Sequence, residues 1–469
     1  MLILALETST TSAKAMLYSR EDGIVDVITR EYPVEVNNTL TQDPEGVLQE
    51  LVEVSRQICA GRDIEVISLS GIWHSLLLCD KEMKAHTKII SWANTSAADV
   101  SSRFLKDEEG VNRFYKTTGC PVAPNYPYFK LLHLKEQGYK LEDYYIMEQG
   151  SYITYRLTGK RIVTDCMASG SGLLNIHDKQ YDKVMLRELG IEEEQLCELV
   201  TYKGAVPLSE DGAKLLGLKP GIPVIPASAD GALNQVGAGA LDEGAMTFSV
   251  GTSAAIRLST SKPLIPDKPS TWSYLSPTQW LSGAATSGAC NCTDWFNDDF
   301  YQMSYDEIEK SSQEELDTPV FLPFLFGERS PGWQGDKRGA FIGIEPYHTK
   351  QHFYQAIQEG ILFNVYQNYN VLCDMVEVPK KIILSGGIVN SRFWTQMCVD
   401  IFGATMEIPT INQSSLMGAV ILGLDYLELI PSPKDYPFEK GEIIRPNLEM
   451  KSIYDRKYEK YLYCYNKIS

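Results

Sequence analysis

At 469 residues the chain is too long for one ordinary hydrophobic core, so two domains are expected. Its 44% apolar and 22% charged content is that of a water-soluble folded protein, and its formal charge of −18 lacks the basic footprint of a nucleic-acid partner. No apolar run approaches the ~20 residues that span a bilayer, so the expectation is a cytoplasmic protein with neither a membrane nor a nucleic-acid partner.

The apolar start, residues 1–6, reaches Glu7 too soon for a signal-peptide core and carries no basic leader, so it predicts a buried strand. A small hydroxylated stretch follows, Thr8, Ser9, Thr10, Thr11 and Ser12, then a second strand over 13–18. A third strand is expected near 24–29, after the turn Glu21-Asp22-Gly23. Pro44–Cys59 spaces Val47, Leu48, Leu51, Val54 and Ile58 at helical intervals. The apolar run from Val66 ends at Gly71, and residues 223–241 read as a buried strand running into Asp230-Gly231 and a small-residue helix.

The same grammar then returns. Strands are expected over 246–250 and 254–258, joined by Gly251-Thr252-Ser253, and a later apolar run, 382–385, ends at Gly386-Gly387. Between them, Pro263, Pro266 and Pro269 make 258–276 a loop or edge region, and 352–369 is helical in spacing. A last helix is expected over 452–468. Matching order in two halves implies a duplicated α/β unit, divided as 1–242 and 243–469. The ten cysteines form no CxxC pair, and Cys290 and Cys292 have no histidine beside them, so reduced thiols are expected rather than a metal set.

Neither a GxxxxGK[ST] loop nor a protein-kinase glycine loop with its Lys and DFG partners occurs. A chain that handles ATP without them needs other phosphate donors. Two hydroxyl-rich turns meeting across a cleft would clamp the β- and γ-phosphates, with Lys14 as a point charge and Glu7 holding Mg²⁺ directly or through water. Asp230 reads either as the N-cap of the helix it begins or as a base facing a cleft, and the two roles are compatible.

Several motifs in order resemble the FGGY carbohydrate kinases. Gly339-Ala340-Phe341-Ile342-Gly343-Ile344, with His352-Phe353 and Ala356-Ile357-Gln358-Glu359, is similar to the family's C-terminal signature, Gln358 standing where an apolar residue is usual. Pro127-Tyr128-Phe129-Lys130-Leu131-Leu132-His133-Leu134 approximates the earlier signature, with His133 in a common tryptophan position. Tyr155-Arg156-Leu157-Thr158-Gly159, and Gly386-Gly387 through Ser391 and Trp394, fit as well. The resemblance implies duplicated actin-like, ribonuclease-H-like ATPase domains around an interdomain cleft. It implies Thr10, Thr11 and Lys14 in a first phosphate motif, Gly251, Thr252 and Ser253 in a second, and Gly386, Gly387, Asn390 and Ser391 at the adenosine. Asp230 matches the family's base, and Glu7 stands where an aspartate is usual. Asn94, in the stretch after Trp92, replaces a frequent acidic residue.

For the substrate, the resemblance implies contacts from Trp73, His74, Asn94 and Asp230. The stretch from Pro323 to Trp333, followed by Arg338-Gly339, resembles the gluconate kinase branch, and His74-Ser75 leans the same way. The expected reaction is ATP-dependent phosphorylation of D-gluconate to 6-phosphogluconate; D-xylulose or another pentulose or polyol is the alternative. A non-catalytic sugar or nucleotide sensor on the same scaffold, and a homodimer as the assembly, both stay open.

Overall fold

The computed structural model describes residues 1–312, 316–376, 379–410 and 413–468. The chain builds two mixed sheets with matching strand order. In the first, of six strands, Leu2–Thr8 lies at the centre, antiparallel to Ser12–Ser19 and parallel to Val66–Gly71. Pro223–Ala229 adds beyond Val66–Gly71 in parallel, and Gly23–Glu31 closes the opposite edge. In the second, of seven strands, Ala245–Val250 takes the central place, antiparallel to Ala254–Thr260 and parallel to Lys381–Ser385. The repeat expected from the sequence is therefore a repeat of strand order and direction.

The alternation of the first strand explains why it is buried on both faces. Leu4 and Leu6 pack with Val47, Leu48 and Leu51 of the helix Pro44–Cys59. Ile3 and Ala5 point the other way, against Leu416, Val420 and Leu424 of the helix Ser414–Tyr426. Each fully buried Leu or Ile contributes about 2 kcal/mol. The helix Pro44–Cys59 starts where its sequence dictates: Asp43 accepts the Gly46 N–H at 2.8 Å and Pro44 opens the first turn.

Two elements of the later half cross to the earlier one. The helix Ser414–Tyr426 lies on the first sheet and crosses Asp230–Gly237 so closely that a Cβ on Gly237 would sit 1.8 Å from the Ser414 carbonyl oxygen. A Cβ on Gly418 would sit 2.1 Å from that of Leu233. The outer strand Trp272–Leu275 carries Trp272 and Tyr274 into the core of the first lobe. It occupies the region expected as loop or edge, and it is the outermost strand of its sheet. The third strand and the helix expected over 352–369 run longer than their apolar patterns, as Gly23–Glu31 and Lys350–Cys373. The last helix is Leu448–Lys467. All ten cysteines are free thiols, and no helix among the described residues is long and apolar enough to cross a membrane.

Candidate active site

Strand Pro223–Ala229 delivers Asp230 as the first residue of the helix Asp230–Gly237. The N-cap is Ala229, which has no capping side chain, so the carboxylate is not consumed in capping. Its Oδ1 instead accepts the N–H of Gly231 at 2.7 Å. Burial, and then the nearby charge of Glu7, push the Asp230 pKa up to about 6. The Gly231 N–H, Arg257 and Lys14 oppose that rise. A carboxylate tuned into this range suits proton abstraction near neutral pH.

Asp230 faces a cavity of about 340 Å³ between the lobes. Glu7, Thr10, Thr11 and Lys14 line it from the first sheet and its turn, and Ser249 and Arg257 from the second sheet. Glu7 is fully buried at the end of its strand, directly across the hairpin from Lys14. It accepts from Lys14 Nζ at 2.7 Å and from Ser70 Oγ at 3.1 Å. The turn between the two strands is closed by Ser9, whose hydroxyl donates to the Ser12 carbonyl at 2.8 Å. Thr10 accepts from Trp92 Nε1 at 2.9 Å, which leaves its own O–H free to donate.

The second turn is placed differently. Gly251, Thr252 and Ser253 do not line this cavity; Ser249, just before them, does. The carbonyls of Gly251 and Thr252 accept the N–H groups of Cys290 and Asn291, at the start of the helix Cys290–Phe296. The glycine pair lies against the same strand end: a Cβ on Gly386 would meet the Val250 carbonyl oxygen at 2.3 Å. Gly386 also has a φ of 92°, which favours glycine. Ser391 caps the helix Arg392–Phe402 and donates to Glu309 at 2.6 Å, while Asn390 ends the short helical turn before it.

Trp73 and His74 do not line this cavity: both are buried, Trp73 beside Gly231, where a Cβ would meet its ring at 2.9 Å. Trp73 donates through Nε1 to the Cys166 carbonyl at 3.0 Å and packs on Tyr274, ring centroids 5.1 Å apart. His74 has a φ of 60° and donates through Nδ1 to the Gly170 carbonyl at 2.6 Å. Burial pushes its pKa down to about 3, so the ring is neutral and Nε2 is an acceptor. The backbone of His74 is held by Lys130, fully buried, which donates to the carbonyls of His74 at 2.6 Å and Ser91 at 2.7 Å. Asn94 is not brought to the cavity: its side chain accepts the Ser96 N–H and donates to the Leu40 carbonyl.

Residues 2–237 match the N-terminal domain of the FGGY family of carbohydrate kinases, and residues 246–424 match its C-terminal domain. The chain belongs to this family. As an FGGY kinase it is a phosphotransferase acting on a sugar, and its two sheets are the paired actin-like ATPase domains of that fold. It is 30% identical to a gluconokinase of Bacillus subtilis over 90% of this chain and 87% of that one. It is 25% identical to a xylulose kinase of the same organism, again over 90% and 87%. A gluconate kinase structure from Lactobacillus acidophilus superposes with TM-score 0.92 at 26% identity, covering 99% of this chain and 97% of that one. A ligand-bound xylulose kinase from the same species gives 0.93 at 26%, over 99% and 98%.

Three groups near these residues carry little signal in the sequence, and of them only Arg257 lines the cavity. Lys130 was visible only as part of a signature. Tyr126 and Tyr274, whose hydroxyls meet at 2.6 Å, come from opposite lobes and have no sequence signal in common. Arg257 did have one: with Ala255 it forms the half-buried face of a strand whose other early positions are buried. A lone cation on that face is a cue for a cleft.

Proposed function

We propose that this FGGY kinase phosphorylates the terminal hydroxyl of a sugar acid, converting D-gluconate to 6-phosphogluconate at the expense of ATP. The observation that carries the reading is the cavity where Asp230 meets Glu7, Thr10, Thr11 and Lys14 on one side and Ser249 and Arg257 on the other. The relation to gluconokinases supports the choice of sugar acid. D-xylulose is the second reading, favoured by the xylulose kinase relatives.

Asp230 orients the substrate hydroxyl and takes its proton as the oxygen bonds to the γ-phosphorus; the bond from that phosphorus to the β–γ bridging oxygen breaks, and ADP leaves. Thr10, Thr11 and Lys14 donate to the phosphates, and Gly251, Thr252 and Ser253, which follow the cavity-lining Ser249, would meet them from the second lobe. Gly386, Gly387, Asn390 and Ser391 border the adenosine. Residues 1–242 then carry the base and the sugar, and 243–469 the nucleotide. Glu7 and Asp230 bring two carboxylates to one cavity, and their mutual repulsion fits a divalent cation held at Glu7 through water. Mg²⁺ there would neutralise charge on the phosphate oxygens.

Coupled ADP release measured across gluconate, xylulose, other pentuloses and polyols, with the product identified by mass and NMR, tests the reading. Gluconate-dependent ADP release with phosphate on C6 is the expected result. Release that only a neutral ketose stimulates assigns the enzyme to the second reading.

A further inference from the structure

Arg257 reaches the space beside Asp230 because residue 231 has no side chain. A Cβ on Gly231 would lie 3.2 Å from both Nε and Nη2 of Arg257 and 2.9 Å from the Trp73 ring. The Nε and Nη2 nitrogens therefore pack against Gly231 at the wall of the cavity that Asp230 also lines. The opposite nitrogen, Nη1, donates to Ser249 Oγ at 3.3 Å. Nε is buried and has no hydrogen-bond partner among the described residues. The Nε–Nη2 edge of a guanidinium is one that a carboxylate engages with two parallel bonds.

Arg257 forms no salt bridge among the described residues, although the Asp230 carboxylate is near enough to act on its charge. A guanidinium that lines a cleft without a salt-bridge partner can take an anion that arrives with the ligand.

We propose that Arg257 is the specificity-determining residue of this kinase and that its guanidinium receives the substrate's carboxylate. The inference rests on the sugar-acid reading above and adds to it the group that separates an aldonate from a neutral sugar. A nucleotide phosphate is the other anion in reach. Arg257 lies past the turn toward the sheet interior and beside Trp73, so the sugar end is favoured.

The test compares Arg257→Met and Arg257→Lys with the wild type, each shown folded by thermal unfolding. It measures kcat and KM for D-gluconate, for its neutral counterpart D-glucitol, and for ATP, together with gluconate binding by calorimetry without nucleotide. Arg257→Met is expected to raise the gluconate KM and Kd by ~10- to 100-fold and to cut the gluconate-over-glucitol preference by the same factor. Arg257→Lys is expected to recover part of the loss. An unchanged gluconate KM and preference in Arg257→Met overturns this inference alone. So does a rise confined to the KM for ATP. A wild type that neither binds nor phosphorylates gluconate but turns over a neutral ketose overturns it together with the sugar-acid reading.

Discussion

Lys14 and Glu7 face each other across the first hairpin, with Nζ 2.7 Å from Oε1. The pair fixes a buried carboxylate at the mouth of the turn that carries Thr10 and Thr11. It also sets the charge that Asp230 feels, because Glu7 raises the Asp230 pKa and Lys14 lowers it. Position 7 therefore acts on the base as well as on the cation it would hold.

Glu7→Gln should lower kcat by ~10²-fold, the scale of losing a group that stabilises charge in the transition state. It should also shift the acid limb of the pH–rate profile to lower pH, since removing a negative neighbour makes Asp230 easier to ionise. A profile of log kcat between pH 4.5 and 8 checks both. Loss of rate with an unmoved limb would separate Glu7 from the base.

The wild-type rate should fall below about pH 6, where Asp230 becomes protonated, and level off above it. The stability effect has the opposite sense. A carboxylate whose folded pKa lies above its unfolded value contributes stability below the unfolded pKa, and that contribution is lost as pH rises through the folded one. Ionised Asp230 is thus a cost at neutral pH. Asp230→Asn should be more stable than the wild type at pH 7.5, by on the order of 1 kcal/mol, and should lose that advantage near pH 4. Thermal unfolding at the two pH values reads the difference.

Lys130→Met tests how the His74 loop is held. The ammonium is fully buried, which pushes its pKa well down, and it satisfies main-chain carbonyls rather than an acid. Removing it leaves those carbonyls unpaired and should cost about 2–4 kcal/mol. The sugar KM should rise ~10-fold, with the KM for ATP nearly unchanged, because only the backbone of His74 loosens. Equilibrium unfolding and steady-state kinetics with both substrates report the two effects.

The helix crossing at Gly237 and Gly418 has no room for a methyl group on either side. Gly418→Ala should destabilise the protein by about 2–4 kcal/mol, the scale of an overpacked core site that cannot relax. The same substitution at Gly335, where a Cβ would meet nothing within 4 Å, should have little effect. Their denaturation midpoints provide the comparison.

Local signals carried much of the architecture. The strand–turn–strand units and the glycine-ended strands repeat because each is a short apolar run cut by turn residues, and such runs specify strands wherever they occur. Pro44–Cys59 was bounded correctly by its proline and its helical spacing. What the sequence hid was long-range. Nothing in Ser414–Tyr426 announces that it packs on Ile3 and Ala5, more than 400 positions earlier, or that Trp272 and Tyr274 enter the opposite lobe. At the site, Glu7, Thr10, Thr11, Lys14 and Asp230 were legible because motif and chemistry coincide there, and the cavity gathers them. Asn94 was named from its place after Trp92, but a local turn uses its side chain. Arg257 was overlooked because its meaning depends on the empty Cα of Gly231 in the other lobe.

The most direct test is sugar-dependent ADP release by the wild type and Asp230→Asn, assayed side by side at pH 7.5 with saturating gluconate and MgATP. The expected result is one phosphorylated sugar per ADP in the wild type and turnover lower by ~10²–10⁴-fold in the variant, with the fold intact. Near-normal turnover in Asp230→Asn, or ADP release that is the same with and without any sugar, would contradict the assignment of this cleft as a sugar-phosphorylating site.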